Sequence, residues 1–179
     1  MAGHGSVLWG TRKRGNPSHN LSMSKKLDAI DRRLLALLQE NAETPLATLA
    51  EAVNLSTSPC WRRVQALRER GYITRHVALA DRGKLNLGVT VFVSVKTSQH
   101  NPAWLEQFRE AVRQIPEVLE LYRMSGEVDY LLRVVVPDIA AYDGVYQRLI
   151  RSVALSDVSS SFAMEELKFT TALPLDYAS

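Results

Sequence analysis

Between Thr44 and Ile73 the apolar positions return every three or four residues in two short runs separated by a turn. Thr44 suits an N-cap and Pro45 a first helical residue, where a missing N–H leaves nothing unpaired. Leu46, Leu49, Ala50 and Val53 then form one stripe. Asn54 suits the left-handed residue that ends a helix, and Leu55 plugs the turn from inside. Ser56 is the next N-cap candidate, and Cys60, Val64 and Leu67 carry a second stripe at i, i+4 and i+7. Gly71 stops this second helix. Ahead of the pair, residues 27–41 predict a supporting helix capped by Asp28, with Ile30, Leu34, Leu37 and Leu38 on its apolar face.

Past Asn86 the period changes from helical to alternating. Val89, Val91, Val93 and Val95 alternate with Thr90, Phe92, Ser94 and Lys96, which predicts a strand. Pro102 opens a helix carrying Leu105, Phe108, Val112 and Ile115 on one face, and Pro116 ends it. Strands over residues 118–124 and 130–136 flank a turn at Ser125-Gly126-Glu127-Val128. A helix over residues 138–152 is expected to bury Ile139, Tyr142, Tyr146, Leu149 and Ile150, and a last strand runs from Val158 to Phe169. The order β-α-β-β-α-β is the ferredoxin-like split unit, two helices on one face of an antiparallel sheet. Its other face, carrying Phe92, Leu119, Leu121, Leu131 and Val135, is too apolar to leave in water, so two sheets are expected to meet in a dimer. The fold class is α+β: a helix-turn-helix domain over 23–80, a linker over 81–88 and a ferredoxin-like domain over 89–175.

Charge separates these parts. Residues 1–22 carry a net +3, residues 23–80 another +3 and residues 81–179 a net −3. The basic share thus lies with the helix-turn-helix, as for a DNA-facing half joined to a partner-facing half. Residues 1–22, rich in glycine and without periodicity, read as an unstructured basic extension, with Met23 a second plausible start. No run is long enough to span a bilayer, and Val7-Leu8-Trp9 is too short for a signal peptide. One cysteine excludes an internal disulfide and suits a reducing cytoplasm.

In a helix-turn-helix the second helix enters the DNA major groove. Around the wheel from the Cys60–Leu67 seam lie Thr57, Ser58, Trp61, Arg62, Gln65 and Arg68 or Glu69. Arg62 and Gln65 are the expected base readers, since Arg and Gln form bidentate bonds to base edges. Ser58, Trp61 and Arg68 are expected to position the helix, Ser56 and Thr57 to contact bases or phosphates, and Arg63 to contact phosphate or a helix carboxylate. A merely solvated polar face fits Trp61 poorly, because an exposed Trp without a partner is unusual. At the other end of the chain, Gly126 permits close backbone approach and Asp129 can pair with an α-ammonium group, with Tyr122, Met124 and Ile139 as an apolar wall. The alternative is local: Gly126 makes the turn, and Asp129 caps or salt-bridges beside it.

Five motifs in order resemble the leucine-responsive regulator/AsnC (feast/famine) family of transcription factors. They are Leu27-Asp28-x-x-Asp31-x-x-x-Leu35, Leu55-Ser56-x-x-Pro59-Cys60-x-x-Arg63-Val64, Gly71-x-Ile73, Ser125-Gly126-x-x-Asp129-Tyr130 and Met164-Glu165-Glu166-x-Lys168. The resemblance runs from about Leu27 to Pro174. It implies a winged helix-turn-helix that binds double-stranded DNA, joined to an amino-acid-sensing domain. It also implies homodimers that assemble into tetramers or octamers, with the effector between dimers. Tyr130 falls in the effector motif, and Ser159, Ser160, Ser161 and Phe162 match the segment that completes the pocket from a neighbouring subunit. Glu127 stands where many relatives carry Asp.

An enzyme reading has less to stand on. His4, His19, His76 and His100 are scattered, with no metal-ligand spacing, phosphate loop or nucleophile elbow, so neither metal nor cofactor is expected. Sirohaem decarboxylases resemble this two-domain plan, and His76 or His100 on a haem face would favour that enzyme. A DNA-free amino-acid-sensing module is the third alternative.

Overall fold

The computed structural model describes residues 26–178. The basic extension expected over 1–22 lies outside them, as do Met23, His4 and His19. The described chain forms two compact units, one from residues up to 75 together with the stretch from 171 onward, the other from residues 76–170.

The first unit holds helices α1 (Ala29–Glu40), α2 (Leu46–Ala52) and α3 (Thr57–Glu69). Asp28 caps α1 as expected: its carboxylate accepts the Asp31 N–H at 2.8 Å, satisfying one orphan donor of the first turn. At α2 the cap differs from expectation. Pro45 itself holds the N-cap position in extended geometry, and the Thr44 hydroxyl donates instead to the Asn41 carbonyl at 2.7 Å, closing the turn behind it. Asn54 has φ of 54°, the left-handed conformation that ends α2, and the Leu55 N–H returns to the Ala50 carbonyl at 2.9 Å. Ser56 occupies the N-cap position of α3 without a side-chain bond. Leu34, Leu35, Leu49, Ala50, Cys60, Val64 and Leu67 make one core, with Leu55 and Ile73 packed against it. Gly71, at φ of 77°, turns the chain out of α3. Residues 74–80, after the helix where the resemblance places a wing, are in neither helix nor strand.

Two residues of the C-terminal stretch, Leu175 and Ala178, also pack on this core. The stretch from Thr171 onward thus groups with the first unit.

The second unit is the ferredoxin-like sheet: β1 (Val89–Lys96), α4 (Pro102–Arg113), β2 (Val118–Arg123), β3 (Tyr130–Val136), α5 (Ile139–Ser152) and β4 (Asp157–Phe162). The strands lie in the order β2-β3-β1-β4, all antiparallel. Val91, Val93 and Val95 of β1 and Leu132, Val134 and Val136 of β3 meet Trp104, Phe108 and Val112 of α4 and Tyr142, Val145 and Leu149 of α5. Asn101 and Asp138 cap the two helices through their side chains.

Four expectations are corrected. The strand β4 stops at Phe162 rather than Phe169, because Ala163 already bonds to the Thr90 carbonyl and β1 offers almost no further ladder. Leu121 faces the helices rather than the open face: a bulge between Val118 and Glu120 inserts Leu119 and shifts the alternation by one residue. Val135 is buried. Ile139 is 69% exposed in the first turn of α5, and Ile150 lies one step round the wheel from buried Leu149 and is also exposed.

Candidate DNA-reading helix and effector face

The seam of α3, Cys60, Val64 and Leu67, is held in the core by its helical spacing, which leaves the opposite side outward. Thr57, Ser58, Trp61, Arg62 and Arg68 are exposed there and Gln65 is half-buried, with Trp61 at 53%. Ser56, just ahead of the helix, is exposed as well. Positions 58, 61, 65 and 68 follow one another at helical spacing, so their side chains form a single stripe with Arg62 beside it.

Arg63 leaves that stripe. One guanidinium nitrogen donates to Asp28 Oδ2 at 2.7 Å and Asp31 Oδ1 at 2.8 Å, tying α3 to the first turn of α1. Desolvation pushes the Asp28 carboxyl up, but the Asp31 N–H and the Arg63 guanidinium outweigh it and hold the group below its ordinary value. The two carboxylates in turn raise Arg63. Burial pushes the Cys60 thiol up, which suits a core residue rather than a nucleophile.

On the sheet, register decides which expected effector residues share a face. Two rows cross the face turned away from the helices: Tyr122–Leu131–Ser94–Ser159 and Glu120–Arg133–Phe92–Ser161. Tyr122 and Ser159 thus share a face and a row, on opposite edge strands about 14 Å apart. Ser160 and Phe162 alternate to the helix side, where the Ser160 hydroxyl meets that of Tyr142 and Phe162 packs edge-on to the Tyr142 ring at 5.3 Å. The run Ser159–Phe162 is therefore split between two faces. Tyr130 is withdrawn from the expected lining: it is 6% exposed, in the core against Trp104 and Phe108.

Gly126, at φ of 122°, turns the hairpin between β2 and β3, which closes where Met124 N–H donates to the Asp129 carbonyl at 2.8 Å. Asp129 Oδ2 accepts the Thr97 N–H at 2.8 Å. Glu127 pairs with Lys96 at 2.9 Å, a reach that its longer side chain permits. Ile139 follows the opposite end of β3, about 20 Å along the strand from this turn, so within one chain it cannot wall the same site. Sequence reasoning missed the Glu120–Arg133 pair at 2.5 Å, with the Tyr122 hydroxyl donating to the same carboxylate at 2.9 Å. The opposite charges were visible, but the bulge that sets their register was not.

No group of histidine, cysteine or carboxylate side chains among the described residues could hold a metal ion. His76 and His100 are both exposed. No helix among the described residues is long and apolar enough to cross a membrane.

A three-helix reading head followed by a ferredoxin-like sheet defines a two-unit regulator, one part for DNA and one for a signal. Residues 27–68 match the AsnC-type helix-turn-helix domain and residues 90–173 the Lrp/AsnC ligand binding domain. The DNA-binding transcriptional activator DecR of Escherichia coli is 52% identical over 151 residues, spanning 84% of this chain and 99% of its own. Among solved structures, an AsnC family transcriptional regulator from Agrobacterium tumefaciens superposes with a TM-score of 0.82 at 58% identity, covering 84% of this chain and 99% of that one. A transcriptional regulator of Neisseria meningitidis, solved as a complex with L-Met, gives 0.80 at 37% identity, covering 84% and 97%. The chain belongs to the Lrp/AsnC family of transcriptional regulators. Family and relatives alike set aside the decarboxylase alternative.

Proposed function

We propose that this regulator reads a promoter with α3 and adjusts that binding to an amino-acid effector held at the sheet. Arg62 and Gln65 read base edges in the major groove; Ser56, Thr57, Ser58, Trp61 and Arg68 seat the helix on the backbone. Arg63 acts indirectly, holding α3 against Asp28 and Asp31. The observation that carries this reading is the exposed stripe with Trp61 at its centre, standing opposite a buried seam.

The effector half draws on the Neisseria regulator bound to L-Met. Asp129 keeps one carboxylate oxygen for an α-ammonium group while the other holds Thr97. Gly126 admits the ligand's backbone, and Met124 and Tyr122 face its side chain. Ser159 and Ser161, and Ile139 from the far end of β3, are brought to such a site by a neighbouring copy. Phe92, Leu119 and Tyr122 remain exposed on the sheet side, and a second sheet covering them gives a homodimer, the unit from which tetramers or octamers assemble.

A gel shift on the protein's own upstream DNA, at two salt concentrations and with or without a pool of amino acids, tests both halves. Specific retardation that weakens with salt and changes with the pool supports them. Retardation of competitor DNA alone refutes sequence reading, and an unchanged shift with the pool refutes the effector.

A further inference from the structure

The last residues of the chain return to the reading head. Gln39 of α1 makes a two-way contact with the backbone of Leu173: its Oε1 accepts the Leu173 N–H at 2.7 Å and its Nε2 donates to the Leu173 carbonyl at 3.2 Å. Leu175 and Ala178 pack on the core of the head, and the Ala178 N–H closes a turn onto the Leu175 carbonyl at 3.1 Å. Arg32 Nη1 lies 3.5 Å from the Ala178 carbonyl. One amide side chain thus satisfies both the backbone donor and the backbone acceptor of Leu173.

A second observation concerns the path leading there. Residues 163–170 connect β4 to this segment, and Glu166 among them pairs with Arg82 at 3.6 Å. Arg82 lies in the other connector, residues 76–88, and also donates to Thr90 of β1 at 2.6 Å. One guanidinium therefore pins both connectors to the start of the sheet.

We infer that residues 171–178 are a strap that positions the reading head, with Gln39 and Leu175 as its fastening points. With the strap docked, the head is tethered twice, after α3 and across α1; released, it hangs on a single connector. Two tethers at separate points restrict reorientation far more than one. In a dimer that restriction matters only when both heads engage one duplex, because the second contact is then intramolecular and depends on how the heads are held. The strap thus governs the preference for a two-site operator over a half-site, without touching DNA. This inference rests on the DNA-reading function proposed above.

The test uses the full chain and a palindromic duplex selected on the wild-type protein from a random-sequence pool, together with its half-site. Three variants are compared: Gln39→Ala, Leu175→Asp and a truncation after Thr170. Half-site affinity is expected to stay within about twofold of wild type while the palindrome-to-half-site preference falls about tenfold. Gln39→Ala removes only two hydrogen bonds and keeps the test decisive if Leu175→Asp fails to fold. An unchanged preference in Gln39→Ala and the truncation overturns the inference. So does an equal fall of both affinities in step with the melting temperature, which makes the segment a structural patch only. A random-sequence pool from which the wild-type protein enriches no duplex overturns the DNA-reading proposal itself, and the strap's role with it.

Discussion

Asp28 has two tasks in one side chain, capping α1 through the Asp31 N–H and receiving Arg63 from α3. Its carboxyl is held below the ordinary value, so its contribution to stability is complete above the unfolded-state pKa of about 4. That contribution is lost as pH falls through the lower, folded value. Asp28→Asn keeps a good cap but carries no charge, so its thermal melting temperature should fall less than the wild type's between about pH 5 and pH 3. Parallel curves would remove the Asp28–Arg63 pair from the account. For Asp129 the expected outcome is functional: Asp129→Ala abolishes the response to amino acids and leaves DNA affinity without them unchanged. Calorimetry showing normal amino-acid binding by this variant would return Asp129 to its local role with Thr97. Residues on one helical wheel were legible from sequence because burial follows period; the Cys60–Val64–Leu67 seam and left-handed Asn54 both lie where the spacing put them. Arg63 was ambiguous because its partners lie on another helix, beyond what spacing reports.

At the scale of elements, α3 is held by its seam more than by its ends, since Ser56 makes no side-chain cap bond. Leu67→Ala empties a fully buried position and should destabilise the reading head by about 2–5 kcal/mol, read as a lowered denaturation midpoint. A change below about 0.5 kcal/mol would mean the seam is not what fixes α3. Alternation in β1 and β3 predicted their inward faces well, because valines and leucines at every second position leave one solution. In β2 the same logic failed at a single inserted residue, Leu119, which carried Leu121 to the opposite face. Beyond Phe162 apolar residues continue at Met164, Leu167 and Phe169, yet the strand ends because its partner has run out. Periodicity describes a side chain's neighbours along the chain and cannot see the length of the strand beside it.

Across the whole molecule, the exposed apolar side chains on the sheet give the dimer its argument. Phe92 lies in a central strand, on the row with Glu120, Arg133 and Ser161, and is 39% exposed. Phe92→Asp places a charge in the face proposed to be covered, and sedimentation should show dimer giving way to monomer with the sheet still folded. A variant that remains dimeric would move the interface elsewhere. The return of residues 171–178 to α1 was not legible at all: Gln39 is polar, its partner is backbone, and nothing in local pattern connects them.

The central claim is that the exposed stripe of α3 reads base sequence. Its most direct test is an anisotropy titration of wild type and Arg62→Ala against the selected operator and against scrambled duplex. One bidentate base contact is worth about 1–3 kcal/mol, so the variant should bind the operator about tenfold or more weakly, with scrambled-duplex affinity nearly unchanged and the fold intact. Equal loss on both duplexes, or none on either, would contradict it.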